Sequence, residues 1–158
     1  MAERVFPDNA EYQVVKYDTT DLCGARTDRG YNQTTASGLP FWAADPQAKD
    51  IRIEDIAWQL ARVCRFGGSL APHVDFYSVA QHSVLVHDKC VERGVRKKHY
   101  RLAALLHDAH EAYIGDMIKP QKSMYPNRKT VERAIDAAIE AKFELVSGSL
   151  DAPLIKEI

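Results

Sequence analysis

The hydrophobic pattern divides this chain near residue 50. Beyond that point apolar residues recur at the spacing of a helix face. Ile53, Ile56, Ala57, Leu60 and Cys64 would line one stripe of a first helix, which Gly67-Gly68 should stop. Ser78 with Gln81 three residues later has the pattern of a capping box, so a second helix should start there, with Val79, His82, Val86 and Cys90 on one face. A third helix is expected over roughly residues 98–113, ending at Gly115, and Pro120 and Pro126 break the connector after it. Asn127 could cap a fourth, with Val131, Ile135, Ala138, Ile139 and Lys142 in a stripe, closed by Ser147-Gly148 and followed by a short piece to Ile158. Nothing after residue 50 alternates with period two, so the core is expected to be all-α. Residues 1–50 instead carry turn formers at Asp8-Asn9, Asp18 to Asp21, Asp28-Arg29-Gly30, Ser37-Gly38, Pro40 and Pro46. They read as an irregular or partly extended arm packed on a helical domain of 51–158, with Trp42 as its hydrophobic anchor.

Composition narrows the functional classes. A chain of 158 residues is most simply one domain. Its formal net charge of -1, without long basic tracts, argues against a protein that grips long nucleic acid by its phosphates. No run approaches the roughly 18 apolar residues of a membrane span. The segment Met1 to Asp8 lacks an apolar stretch, so no signal peptide is expected. Cys23, Cys64 and Cys90 are few, odd in number and far apart, which suits packing residues in a reducing cytoplasm better than a disulfide framework.

The candidate chemistry centres on His107-Asp108, a doublet near the end of an apolar run. A neutral imidazole and a carboxylate both bind divalent cations, and neither is buried cheaply without a partner. On a helix Glu111 would share a face with both, and His82 from the preceding helix could complete a His-His-Asp set. Three protein ligands leave open positions for water and a substrate oxygen. The same residues also suit a hydrogen-bonded core histidine beside an ordinary carboxylate, and they leave those two readings open. His110-Glu111 starts the H-E-x-x-H protease pattern, but Ile114 excludes it. His110 is expected at the surface or supporting a ligand, and His73, His87 and His99 at the surface. Arg65, ahead of Gly67-Gly68, could grip a phosphate through two parallel hydrogen bonds or could be a solvated helix-end cation. Lys119 and Lys122 taken singly are ordinary surface charges.

Taken in order, four segments resemble the HD-domain phosphohydrolase superfamily. They are Ile53-Glu54-Asp55-Ile56-Ala57, Arg65-Phe66-Gly67-Gly68, Tyr77-Ser78-Val79-Ala80-Gln81-His82-Ser83, and His107-Asp108-Ala109-His110-Glu111 followed by Gly115-Asp116 and Pro120-Gln121-Lys122. The nearest resemblance is to small 5'-deoxynucleotidases and phage-type dATP triphosphohydrolases, and it spans about residues 38–158. It implies an all-α HD-domain helical bundle and one divalent ion (Mn, Co, Zn or Mg) on His82, His107 and Asp108. Glu111 would handle the attacking water, and Asp116 would assist catalysis or contact the sugar. Arg65 and Lys122 would bind phosphate, and Phe66 would pack against the nucleoside. A nucleotide substrate, a homo-oligomer of two or more copies and a cytoplasmic setting (the host's, for a phage-encoded chain) follow from the same resemblance.

The implied activity is hydrolysis of a dNMP or dNTP, with the Arg65 to His82 pattern leaning toward release of triphosphate. The family's fourth metal ligand is an aspartate on a late helix, and Ile158 lies one residue short of its expected place, so that C-terminal helix is expected to be absent. Asp136 could substitute, although its pattern puts it on the preceding helix as a surface residue. This departure implies a second possibility, an impaired nucleotide-binding or assembly module. A third is a phosphodiesterase acting on a signalling nucleotide.

Overall fold

A computed structural model describes residues 27–156. Cys23 and the turn formers from Asp8 to Asp21 lie outside the described residues, as do Glu157 and Ile158. The described part of the arm contains β1 (Gln33–Thr34) and β2 (Pro40–Phe41), an antiparallel pair, then a 3-10 turn at Ala48–Asp50. Seven helices follow: α1 (Ile53–Leu60), α2 (Val79–Glu92), α3 (Lys98–Leu106), α4 (Glu111–Ile114), α5 (Lys119–Lys122), α6 (Arg128–Lys142) and α7 (Pro153–Lys156). Further 3-10 turns lie at Arg65–Gly68 and Ser149–Asp151. Among the described residues the fold is all-α apart from that two-stranded ribbon, and no helix there is long and apolar enough to cross a membrane.

The capping box forms as expected. Ser78 Oγ accepts from the Gln81 N–H at 3.0 Å, and Gln81 Oε1 accepts from the Ser78 N–H at 2.8 Å. This fixes where α2 starts, and with it the level of His82 one turn in. Val79, Val86 and Cys90 are buried below it, and α2 packs chiefly on α3. Opposite them, α1 packs on α4.

Three expectations about the helices need correction. The apolar face of α1 is rotated: Ile56 and Leu60 are buried, but Ile53 and Ala57 are exposed, and Cys64 lies beyond the helix. Asp55 turns inward instead, accepting from the Ser37 N–H at 2.6 Å and Oγ–H at 2.9 Å, which ties the ribbon loop to the helix. The third helix is divided, because residues 107–110 wind more tightly, with the N–H of Ala109, Glu111 and Ala112 each bonding three residues back. Helix α6 ends five residues before Ser147. Glu144 takes φ +53 after it, the Leu145 N–H closes back on the Glu140 carbonyl at 2.9 Å, and the buried Glu140 carboxylate accepts from the N–H groups of Gly148 and Leu150.

Phe41, not Trp42, anchors the arm. Its ring is fully buried and stacks on Tyr113 with centroids 3.8 Å apart. Trp42 stays half-buried within the arm, where its Nε1–H donates to Thr27 Oγ1 and the Arg29 guanidinium lies over its ring. Arg29 in turn bonds Asp45 and Asp50. Phe41→Ala should cost about 3–5 kcal/mol in urea unfolding. A loss well under 1 kcal/mol would show that the arm is not part of the cooperative core.

Candidate metal centre

Each donor of the candidate site is held by its own local structure. His107 follows the last residue of α3, and its Nδ1–H donates to the Ala104 carbonyl at 2.9 Å. In the neutral ring the lone pair is therefore on Nε2, which faces inward. His82 enters from α2, and its Nε2 accepts from Arg65 Nη2 at 3.1 Å. The tight winding after His107 brings Asp108 onto the same side.

His82 Nε2, His107 Nε2 and Asp108 Oδ2 form a triangle with sides of 3.2, 3.2 and 3.5 Å. Donors about 2.0–2.2 Å from one tetrahedral ion stand roughly 3.3 Å apart, so the observed triangle has the size a shared ion requires. Asp108 Oδ2 is buried without a hydrogen-bond donor, and two imidazole lone pairs converge on it. These residues can hold a divalent cation.

Arg65 reaches this centre because its loop is tied to the cap of α2. Cys64 and Ser78 form an antiparallel bridge in which the Arg65 N–H donates to the Tyr77 carbonyl and the Val79 N–H to Val63. The guanidinium lies 3.4 Å from Asp108 Oδ2, 3.7 Å from Glu111 Oε2 and 3.3 Å from Asp116 Oδ1. Asp116 also accepts the Phe66 N–H at 2.6 Å. That bond holds Phe66 at φ +60, with Gly67 and Gly68 also at positive φ, and leaves the Phe66 ring half exposed at the rim. Lys122, from α5, lies 3.9 Å from Glu111 Oε1 and 3.1 Å from Glu132 Oε1. All eight candidate site residues therefore line one cavity of about 980 Å³, within the usual range for small-molecule sites.

The structure excludes the surface alternative for His110 and moves Asp136. His110 is buried rather than exposed, and its Nδ1–H donates to Asp136 Oδ1 at 2.9 Å. Asp136 faces the cavity rather than solvent, and it orients His110 instead of joining the His82, His107 and Asp108 triangle. Glu132 and Arg128, also unforeseen, complete this wall: Arg128 bonds Glu132 at 2.9 Å and the Gly115 carbonyl at 2.6 Å. One signal was available, because Glu132 and Asp136 are an i, i+4 acid pair beside the apolar stripe of α6. His73 and His99 are exposed and His87 pairs with Asp88 away from the cavity, as expected. Cys90 is a buried packing residue and Cys64 is half-buried, both with free thiols.

Burial and charge set the protonation of the centre. Burial, then the Arg65 charge, pushes His82 down to about 4, which keeps the ring unprotonated at neutral pH. Burial works to raise Asp108, but its close neighbours His107 and Arg65 hold its carboxyl well below the usual carboxylate range. Burial, reinforced by the charges of Asp108 and Asp116, pushes Glu111 up to about 9 against Arg65 and Lys122.

A pH dependence follows for the protein without metal. His82 binds its proton less readily when folded, so its contribution grows from about pH 4 to 6.5 and is then complete. Glu111 binds its proton more readily when folded, so its contribution is full below 4.5 and is lost as pH rises toward 9. In EDTA, Tm should fall between pH 6.5 and 9, and Glu111→Gln should flatten that decline. A wild-type profile already flat over this range would contradict the assignment.

No family model matches this chain. It is 41% identical over 111 residues, 70% of its length, to the uncharacterized protein YfdR of Escherichia coli (strain K12), covering 57% of that protein. It is also 39% identical over 129 residues, 80% of its length, to an uncharacterized protein of Rhodobacter capsulatus, covering 64% of it. The chain thus spans about three fifths of the length of these curated relatives. Both are named as uncharacterized, so neither lends this chain an activity.

Proposed function

We propose that the chain is a metal-dependent phosphohydrolase acting on deoxynucleotides, built on an HD-type helical bundle. One observation carries this reading: a His-His-Asp donor triangle faces the same cavity as Glu111, Arg65 and Lys122. A divalent ion (Mn, Co, Zn or Mg) on His82, His107 and Asp108 would supply acidity to water and a positive pole for a phosphoryl oxygen.

This chain's own groups do the rest. Glu111, which burial keeps protonated in the metal-free protein, would be ionised by a neighbouring dication and would then accept the proton of the attacking water as its oxygen bonds to phosphorus and the P–O bond to the leaving group breaks. Arg65 and Lys122, whose donors already face carboxylates in this cavity, neutralise the phosphate oxygens. Asp116 positions Arg65 and Phe66 together by bonding both. The half-exposed Phe66 ring offers an apolar face to the nucleoside.

The test is incubation with each of the four ions and a panel of dNMPs and dNTPs, with products resolved by chromatography. Release of phosphate or triphosphate from at least one is expected, and the product shows which bond is cut. Absence of turnover on every substrate, with the helical fold intact by circular dichroism, would refute the proposal.

A further inference from the structure

We infer a second divalent-cation site on Asp108, His110 and Glu111, sharing Asp108 with the first centre and resting on the reading of that centre as a metal site. One donor atom from each of the three residues lies within 4.8 Å of the others. His110 is 7% exposed and Glu111 1%, so both are built into the wall.

The chemistry of their atoms points to a ligand. Asp136 is an acceptor, so the hydrogen bond between them puts the ring proton of neutral His110 on Nδ1 and leaves a lone pair on Nε2. That Nε2 is buried with no hydrogen-bond partner, and so are Glu111 Oε2 and Asp108 Oδ2. Glu132 Oε1 stands 4.0 Å from His110 Nε2 and has no proton to offer when ionised, so it does not relieve the orphan. A carboxylate holding the far nitrogen of an imidazole is how proteins orient a metal-binding histidine. Here the Asp136–His110 pair supplies that arrangement beside Asp108.

Charge agrees. Asp108, Glu111 and Asp116 share the single guanidinium of Arg65, with Lys122 adding a distant contact to Glu111. Glu132 pairs with Lys122 and Arg128, while Asp136 is engaged by His110. Five carboxyl groups thus face only three cationic side chains along this wall, an excess of acidic donors that a second dication can engage. One imidazole with two carboxylates is a harder donor set than two imidazoles with one. The second site therefore suits Mn²⁺ or Mg²⁺, while the first also suits Zn²⁺ and Co²⁺.

The test is metal stoichiometry, independent of turnover. The full chain and its variants are dialysed against Mn²⁺, then examined by elemental analysis and electron paramagnetic resonance. Wild type should hold two ions per chain with exchange-coupled signals, and His110→Ala should hold one ion, uncoupled. Asp136→Asn, which keeps the packing, should weaken only the second ion by about 10–100-fold. One ion in wild type, unchanged in both variants, would overturn the second site and leave the first standing. No bound ion in a folded wild type would remove the first centre and this inference with it.

Discussion

His107→Ala should leave a folded protein that holds no ion at the His82–Asp108 position and hydrolyses nucleotides at least about 10³-fold more slowly. The imidazole forms two of the three sides of the donor triangle, at 3.2 Å each. Its structural bond, to the Ala104 carbonyl at the end of α3, is worth only about 1 kcal/mol. Loss of metal and activity with little loss of Tm separates a ligand from a core histidine. A variant that unfolds while wild type holds no ion would favour the core reading.

Arg65→Ala should have the second largest effect, through a different route. It should lower kcat/KM by about 10²–10³ while the ion content stays as in wild type. The guanidinium faces Asp108, Glu111 and Asp116 at once, so its removal leaves three carboxylates with one distant ammonium. Arg65→Lys should recover only part of the loss, because an ammonium keeps the charge but not the planar fork. Kinetics and metal analysis on the same samples decide this, and a parallel loss of metal in Arg65→Ala would make it a support for the ligands instead.

The sequence revealed those features that depend on short spacing. The Ser78 and Gln81 pair set the start of α2 because both partners of the capping box lie within one turn. The His107-Asp108 doublet and His82 were recognisable as possible donors by residue type, which left a hydrogen-bonded core histidine equally open. The α6 stripe of Ile135, Ala138 and Ile139 was legible because burial there follows the helix period.

Other features depend on contacts between distant segments. The face of α1 turns because Asp55 finds donors in Ser37, and no periodicity records that partner. The third helix tightens at His107, where packing of the donors overrides a run that reads as continuous. The pairing of His110 with Asp136 joins positions 26 residues apart, so each looks like an ordinary polar residue on its own helix. Phe41 and Trp42 are adjacent and similar in character, and only the stacking of Phe41 on Tyr113 tells anchor from rim.

Anomalous diffraction from crystals of this protein grown with Mn²⁺ would locate the ion itself. A peak is expected about 2.0–2.2 Å from His82 Nε2, His107 Nε2 and Asp108 Oδ2 together. Clear density for all three side chains with no anomalous peak between them would contradict it.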